Sequence, residues 1–200
     1  HTVRYVAGVA PDVVASATTM GGANFGTKAA DLVYKLQQGK WTGWAVTPFM
    51  NTVTGVFNWI LGVQHGTRYP LDAEAALHSL TTAETAKFNQ LYPEGVPANK
   101  CDEGDYVGGN GVYYYSMSGT KTFNNYRDPL DYAMTITGLL MDGPSDGLVE
   151  RCASHLGKVV RDDYRINHTD EMNHLFGLTG TTDVKSIYRQ HANRLQLEGL

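Results

Sequence analysis

The stretch from His1 to Met20 constrains the fold class more than any other part of the chain. Val3, Val6, Ala7 and Ala10 recur at helical spacing, and Pro11 stops that helix. Val13-Val14-Ala15-Ser16-Ala17-Thr18-Thr19-Met20 then follows as a buried strand. A helix that hands over directly to an apolar strand is half of a β-α-β unit, a connection that parallel strands require. The strand from which such a helix returns is not in the sequence, so further strands are expected on the N-terminal side of the sheet. The chain also begins without methionine and without a basic-then-apolar leader, so a trimmed or partial chain is expected.

The remaining elements repeat the alternation. Residues 72 to 91 read as a helix in two parts, with Ala73, Ala76, Leu77 and Leu80 leading into a second part from Thr82. Pro93 to Gly111 is a turn-rich loop, and Val112-Tyr113-Tyr114-Tyr115-Ser116-Met117 is a strand by composition. A helix is expected over 130 to 141, a short helix and a strand within Leu148 to Val160, and a closing helix over Val184 to Leu197. Helices alternating with single strands predict an α/β sheet in a single domain spanning residues 1 to 200. With 200 residues, 42% of them hydrophobic, the chain can bury one sizeable core.

From Asp31 to Val63 the only charges are Asp31, Lys35 and Lys40, while Val46, Phe49, Met50, Val53, Phe57 and Ile60 repeat at spacings of three and four. This is an amphipathic helix with a neutral polar face. It is either an ordinary core helix or a lid over residues 36 to 64 that covers a cleft in water and turns toward lipid at an interface. Trp41, Trp44 and Trp59, all three tryptophans, fall in or beside it, which suits either reading.

Charge excludes other classes. Sixteen basic and 20 acidic residues give a net charge of -4 without blocks of one sign, which argues against nucleic acid or another polyanion as partner. No run of apolar residues is long enough to span a membrane. Cys101 and Cys152 are too few and too far apart for a zinc site. They are either one disulfide formed in an oxidising compartment or two unrelated buried thiols. If bonded, they close a loop of about 50 residues, worth roughly 4 kcal/mol in chain entropy.

Three constellations could carry chemistry. Gly143-Pro144-Ser145-Asp146-Gly147 matches the G-x-S-x-G turn that presents a nucleophilic serine. Its physics is poor, because the residue after the nucleophile must aim its N–H at a developing oxyanion, and an aspartate there adds a like charge. Asp146 in that Gly-rich turn, followed by His168 in a polar loop after Val159-Val160, makes a better pair: an acid and then a histidine, on loops that leave sheet strands. Asp128 and Asp170 are two carboxylates that would suit a hard, oxygen-seeking cation such as calcium.

These residues resemble those of a known family, the secreted, foldase-dependent triacylglycerol lipases of bacteria. Arg4-Tyr5-Val6-Ala7 with Val13-Val14-Ala15-Ser16 is similar to the helix and strand just after the family's nucleophile turn. Asp146-Gly147-Leu148-Val149 with Arg151-Cys152 resembles its acid loop, and Asn167-His168-Thr169-Asp170-Glu171-Met172-Asn173 its histidine loop. Tyr188-Arg189-Gln190-His191-Ala192-Asn193-Arg194-Leu195 resembles its closing helix. The chain departs from the pattern at Gly22-Ala23-Asn24-Phe25-Gly26, and at His174, where the family has glutamine.

The resemblance implies a partial α/β-hydrolase fold, with Asp146 as the acid and His168 as the base of a Ser-His-Asp triad whose serine lies before His1. It implies a Cys101–Cys152 disulfide, and a structural calcium held by the carboxylates of Asp128 and Asp170 and by the carbonyls of His174 and Leu178. Residues 36 to 64 become the lid, the substrate an acylglycerol at a lipid–water interface, the partner a lipase-specific foldase, and the destination the outside of the cell via the periplasm. Without the serine, the 200-residue chain alone is expected to be inactive and poorly folded. The alternatives are an esterase for short soluble esters and a non-catalytic hydrolase-fold protein that binds apolar ligands.

Overall fold

The computed structural model describes residues 1–37, 73–174 and 176–200. Residues 38 to 64 of the expected lid, with all three tryptophans, lie outside the described residues.

Three strands, β1 (Ser16–Met20), β2 (Tyr113–Gly119) and β3 (Lys158–Tyr164), form a parallel sheet in the order β1-β2-β3. Residues Ser16 to Met20 pair in step with Tyr113 to Met117, and β3 pairs with β2 through two register irregularities. β2 is buried at every position but its first, as expected of a central parallel strand covered on both faces.

The two covers can be read from alternation along β2. Tyr114 packs with Ala17, Val112, Leu156 and Ala7, the last from α1 (Thr2–Val9). Met117 points the other way, into a cluster with Ile166, Val184 and Ile187, the last two from α7 (Val184–Leu197). Helices on both faces of a parallel sheet make this an α/β architecture, the class expected from the sequence. Between β1 and β2 run α2 (Lys28–Gln37), α3 (Ala73–Ser79) and α4 (Thr82–Leu91), and between β2 and β3 runs α5 (Pro129–Gly138).

Two expectations about the N-terminal unit need correction. The inward face of α1 is Arg4 and Ala7, whereas Val3 and Val6 are 37% and 39% exposed. Arg4 reaches the interior because its guanidinium finds partners there: it donates to Asn89 Oδ1 (2.8 Å) and the Tyr92 carbonyl (2.7 Å), and lies over the Phe88 ring. The strand begins at Ser16 and not Val13, because Pro11–Val13 closes as a single 3-10 turn and leaves Val13 80% exposed.

α5 buries polar and apolar residues on the same face. Asp131, Ala133, Met134 and Thr137 are buried, while Tyr132, Ile136 and Leu139 face solvent. Met134 joins Ala29 of α2 with Leu148, Val149 and Ala153, so this helix carries the segment that contains Asp146.

Cys101 and Cys152 are bonded, with Cα atoms 4.5 Å apart across a sequence separation of 51, which settles the choice the sequence left open. His155 ties the same loop to β3 by bonding the Asp102 carbonyl and Asp162 Oδ2, each at 3.0 Å. Replacing both cysteines by serine is expected to cost about 4 kcal/mol through the freed loop. For a chain of this size that lowers Tm by roughly 8–16 °C, read by calorimetry. A fall under about 2 °C would mean that the His155 contacts hold the loop without the bond.

Candidate active site and candidate metal centre

The carboxyl ends of parallel strands are where open α/β sheets present reactive groups, because the loops converge there. β1 ends at Met20, just before Gly21, β2 ends at Gly119, and the chain leaving β3 runs through Ile166 and Asn167 to α6 (His168–Glu171). Asp146, His168 and Glu171 meet at these ends: the Gly119 N–H donates to Glu171 Oε1 at 2.8 Å, and a Cβ on Gly21 would touch Glu171 and Asp146 together.

Asp146 is fully buried, and its two oxygens have separate tasks. Oδ1 accepts the N–H groups of Leu148 (2.8 Å) and Val149 (2.7 Å), which fixes the carboxylate plane. Oδ2 meets His168 Nδ1 at 2.8 Å, and the His168 N–H donates to the Asp146 carbonyl at 2.8 Å. The turn that allows this needs Gly147, whose φ of +104° puts it against the backbone of Met134. The structure therefore brings together the two residues singled out as acid and base.

Burial pulls the His168 pKa down, but the charge of Asp146, its hydrogen bond and the charge of Glu171 outweigh it and raise the value from 6.5 to about 9. Glu171, 1% exposed with Oε2 unpartnered and 3.7 Å from His168 Nδ1, is pushed well above the carboxylate range by burial and by Asp146. The sequence reading overlooked Glu171, although its spacing of three from His168 at a helix start was visible.

Ser145 does not form a nucleophile turn. It is 4% exposed, bridges to Glu150 in a short irregular segment, and its Oγ accepts the Gly147 N–H.

Gly21 is the glycine that stands closest to the site's acids, and substitution there should be costly. It has φ +56°, and a Cβ would stand 1.8 Å from Glu171 Oε2 and 2.9 Å from Asp146 Oδ2. Gly21→Ala is expected to destabilise by about 1–3 kcal/mol through backbone strain and overpacking. A thermal melt unchanged from the parent would show that Glu171 has room to swing away.

A second cluster lies behind the histidine. Asp128, Asp131 and Asp170 are all fully buried, with one oxygen of each within 4.8 Å of the others. Asp128 caps α5 through the Leu130 N–H (2.8 Å). Asp170 Oδ2 accepts from the Asn167 N–H (3.0 Å) and Asn124 Nδ2 (2.7 Å), but Oδ1 is buried without a partner. Burial, with the charges of Asp131 and Asp128, raises the Asp170 pKa to about 7. Three buried acids around an orphaned oxygen fit a hard cation, whose charge would offset their repulsion.

Of the other expected ligands, the Leu178 carbonyl accepts from Asn125 Nδ2 at 3.3 Å, beside the cluster, and the His174 N–H donates to the Thr169 carbonyl at 3.0 Å. Asp131 is the member missed from sequence. Its place one turn after Asp128 at the start of a helix was the available signal.

No family model matches the chain. It is 47% identical over its whole length to a triacylglycerol lipase of Vibrio cholerae, 64% of whose own length it spans. It is also 36% identical to triacylglycerol lipases of Pseudarthrobacter phenanthrenivorans and Burkholderia plantarii, spanning 72% and 64% of them. A Bacillus licheniformis lipase of known structure aligns with a TM-score of 0.46 at 18% identity, covering 83% of this chain and 51% of its own. The chain thus spans about two thirds of the length of its curated relatives. On identity and coverage together, the chain belongs to the family of these triacylglycerol lipases.

Proposed function

We propose that the protein carrying this chain is a carboxylic ester hydrolase that cleaves triacylglycerols at a lipid–water interface through an acyl-serine intermediate. The observation that supports this most is the 2.8 Å contact between Asp146 Oδ2 and His168 Nδ1 at the carboxyl ends of the parallel strands. The substrate class rests on the relatives, each named for triacylglycerols.

With Nδ1–H held by Asp146, Nε2 of His168 is the nitrogen left to take the proton of a serine hydroxyl and return it to the leaving alcohol. Asp146 orients the ring and stabilises the imidazolium. On this reading the serine and the donors for its oxyanion would come from the part of the protein that corresponds to the third of the relatives' length not spanned here.

The acidic cluster is read as a calcium site, with the carboxylates of Asp128 and Asp170 and the carbonyls of His174 and Leu178 as ligands. The cation would supply the positive charge that offsets the repulsion among the buried acids, and its role is structural. Secretion through the periplasm and folding with a dedicated foldase follow the same family reading, and the disulfide suits an oxidising compartment. Among the described residues no helix is long and apolar enough to cross a membrane.

Rate against triolein concentration, followed across the solubility limit in a protein of the relatives' length, tests the reading. A steep rise when droplets form supports a lipase. Hyperbolic saturation on short soluble esters with no such rise points to an esterase, and no turnover of either points to a binding protein.

The His168 shift gives a pH dependence of known sign. The base works when neutral, so kcat/KM should climb with pH as His168 loses its proton, with a midpoint near 9. Stability runs the other way: a histidine whose pKa is raised on folding contributes stability that is complete below its unfolded pKa of about 6.5. That contribution is lost as pH rises through about 9. A kcat/KM profile already flat above pH 7 would contradict the shift.

A further inference from the structure

The geometry points to Asp131 as a positioning residue: through Asn167 it ties the buried acidic cluster to the backbone on which His168 stands. Asp131 differs from Asp170 in how its oxygens are used. Oδ2 accepts the N–H groups of Asn124 and Asn125, the latter at 2.5 Å, and Oδ1 accepts Asn167 Nδ2 at 2.6 Å. Its hydrogen-bonding capacity is turned onto the protein, whereas Asp170 keeps a buried oxygen unpartnered.

Asn167 is the other half of the device. Its Oδ1 caps α6, accepting the N–H groups of Thr169 (3.0 Å) and Asp170 (2.9 Å) and the Thr169 hydroxyl (2.8 Å). Its Nδ2 donates to Asp131 and to the Thr122 carbonyl. One planar amide thus binds a carboxylate at one end and caps a helix at the other. A serine could not span both, and an aspartate would set two carboxylates against each other. His168 is the first residue of that capped helix, and its own N–H is held from the front by the Asp146 carbonyl. The ring is therefore aimed by two clamps, Asp146 ahead and Asp131–Asn167 behind. Catalytic geometry that loses about 1 Å of registration loses on the order of a hundredfold in rate.

This deepens the hydrolase reading and rests on it for its catalytic consequence, but the clamp can be tested apart from turnover. Three variants are needed: Asp131→Asn, Asn167→Asp, and the two combined, which rebuilds the pair with its charge exchanged. In the double variant the new amide at 131 accepts the loop N–H groups and donates to the new carboxylate at 167, which still caps α6 and loses only the donor to the Thr122 carbonyl. The primary readout is the downfield proton resonance of the His168 Nδ1–H held by Asp146, recorded at saturating calcium. The second is kcat and KM on a monomeric soluble ester.

Each single variant should broaden or lose the resonance and lower kcat about a hundredfold, with KM within about twofold of the parent. The double variant should recover the resonance and return kcat to within about tenfold. Recovery in the double variant is required even if a single variant does not fold. A double variant no better than the worse single overturns the inference, as do single variants that keep the resonance and kcat and lose only thermal stability. A parent that shows the resonance but hydrolyses no ester would sink the hydrolase reading and leave the clamp to be judged on the resonance alone.

Discussion

His168→Ala, made in the protein at the length of its relatives, is expected to lower kcat for ester hydrolysis by about a millionfold, and Asp146→Asn by about ten-thousandfold. The difference follows from geometry. Removing His168 removes the base itself. Asp146→Asn keeps the 2.8 Å spacing to His168 Nδ1, but an amide nitrogen facing Nδ1 drives the ring to the tautomer whose Nε2 already carries a proton. Asp146 Oδ1 has a second duty, accepting the Leu148 and Val149 N–H groups, so the asparagine should settle with its oxygen there and its nitrogen toward the ring. The loop would fold and the chemistry would stall. Single-turnover rates with the two variants, each checked by a melt within a few degrees of the parent, distinguish this from unfolding. A loss below about a hundredfold in His168→Ala would remove the residue from the mechanism.

Stripping divalent cations is expected to lower Tm by roughly 5–11 °C, and calcium to restore it. A cation at a hundred times its Kd contributes about 2.7 kcal/mol, and a protein of this size gains about 2–4 °C per kcal/mol. The physical basis is the set of Asp128, Asp131 and Asp170, each fully buried and all within 4.8 Å. Asp170→Asn sharpens the test because it inverts a sign. An asparagine there can still accept the Asn167 and Asn124 donors through its oxygen, and it removes one charge from the repelling group. The variant should therefore match or exceed the parent when both are cation-free, and should gain nothing from calcium. Stabilisation of Asp170→Asn by calcium equal to the parent's would mean that the ion sits elsewhere.

What sequence made legible follows how local each cause is. The closing helix was expected over Val184 to Leu197 and is found there, and of its repeat of Val184, Ile187, Tyr188, His191 and Leu195 the structure buries Val184, Ile187 and His191, while Tyr188 is 45% exposed. β2 was readable from a run of aromatic and β-prone residues that only a central parallel strand accommodates. α1 was placed correctly and oriented wrongly, since periodicity cannot foresee that Asn89 and Tyr92, far along the chain, would receive a buried Arg4. The same limit hid Asp131 and Glu171. Both are acidic residues in the first turn of a helix, where the usual expectation is a solvated face, and only tertiary structure shows them buried. Asp146 and His168 were legible as a pair through their loop contexts and the family resemblance. Their 2.8 Å contact was not, since it depends on Gly147 adopting φ +104° and on α5 turning Met134 against it.

The most direct test of the central reading, that His168 and Asp146 serve a serine nucleophile, is to map the site of covalent phosphonylation. The protein at its relatives' length would be treated with a p-nitrophenyl alkylphosphonate and the labelled peptide identified by mass spectrometry, with the parent and His168→Ala run side by side. Stoichiometric labelling of one serine outside residues 1–200, abolished in His168→Ala, is the expected result. Labelling of Ser145, or labelling that persists undiminished without His168, would contradict it.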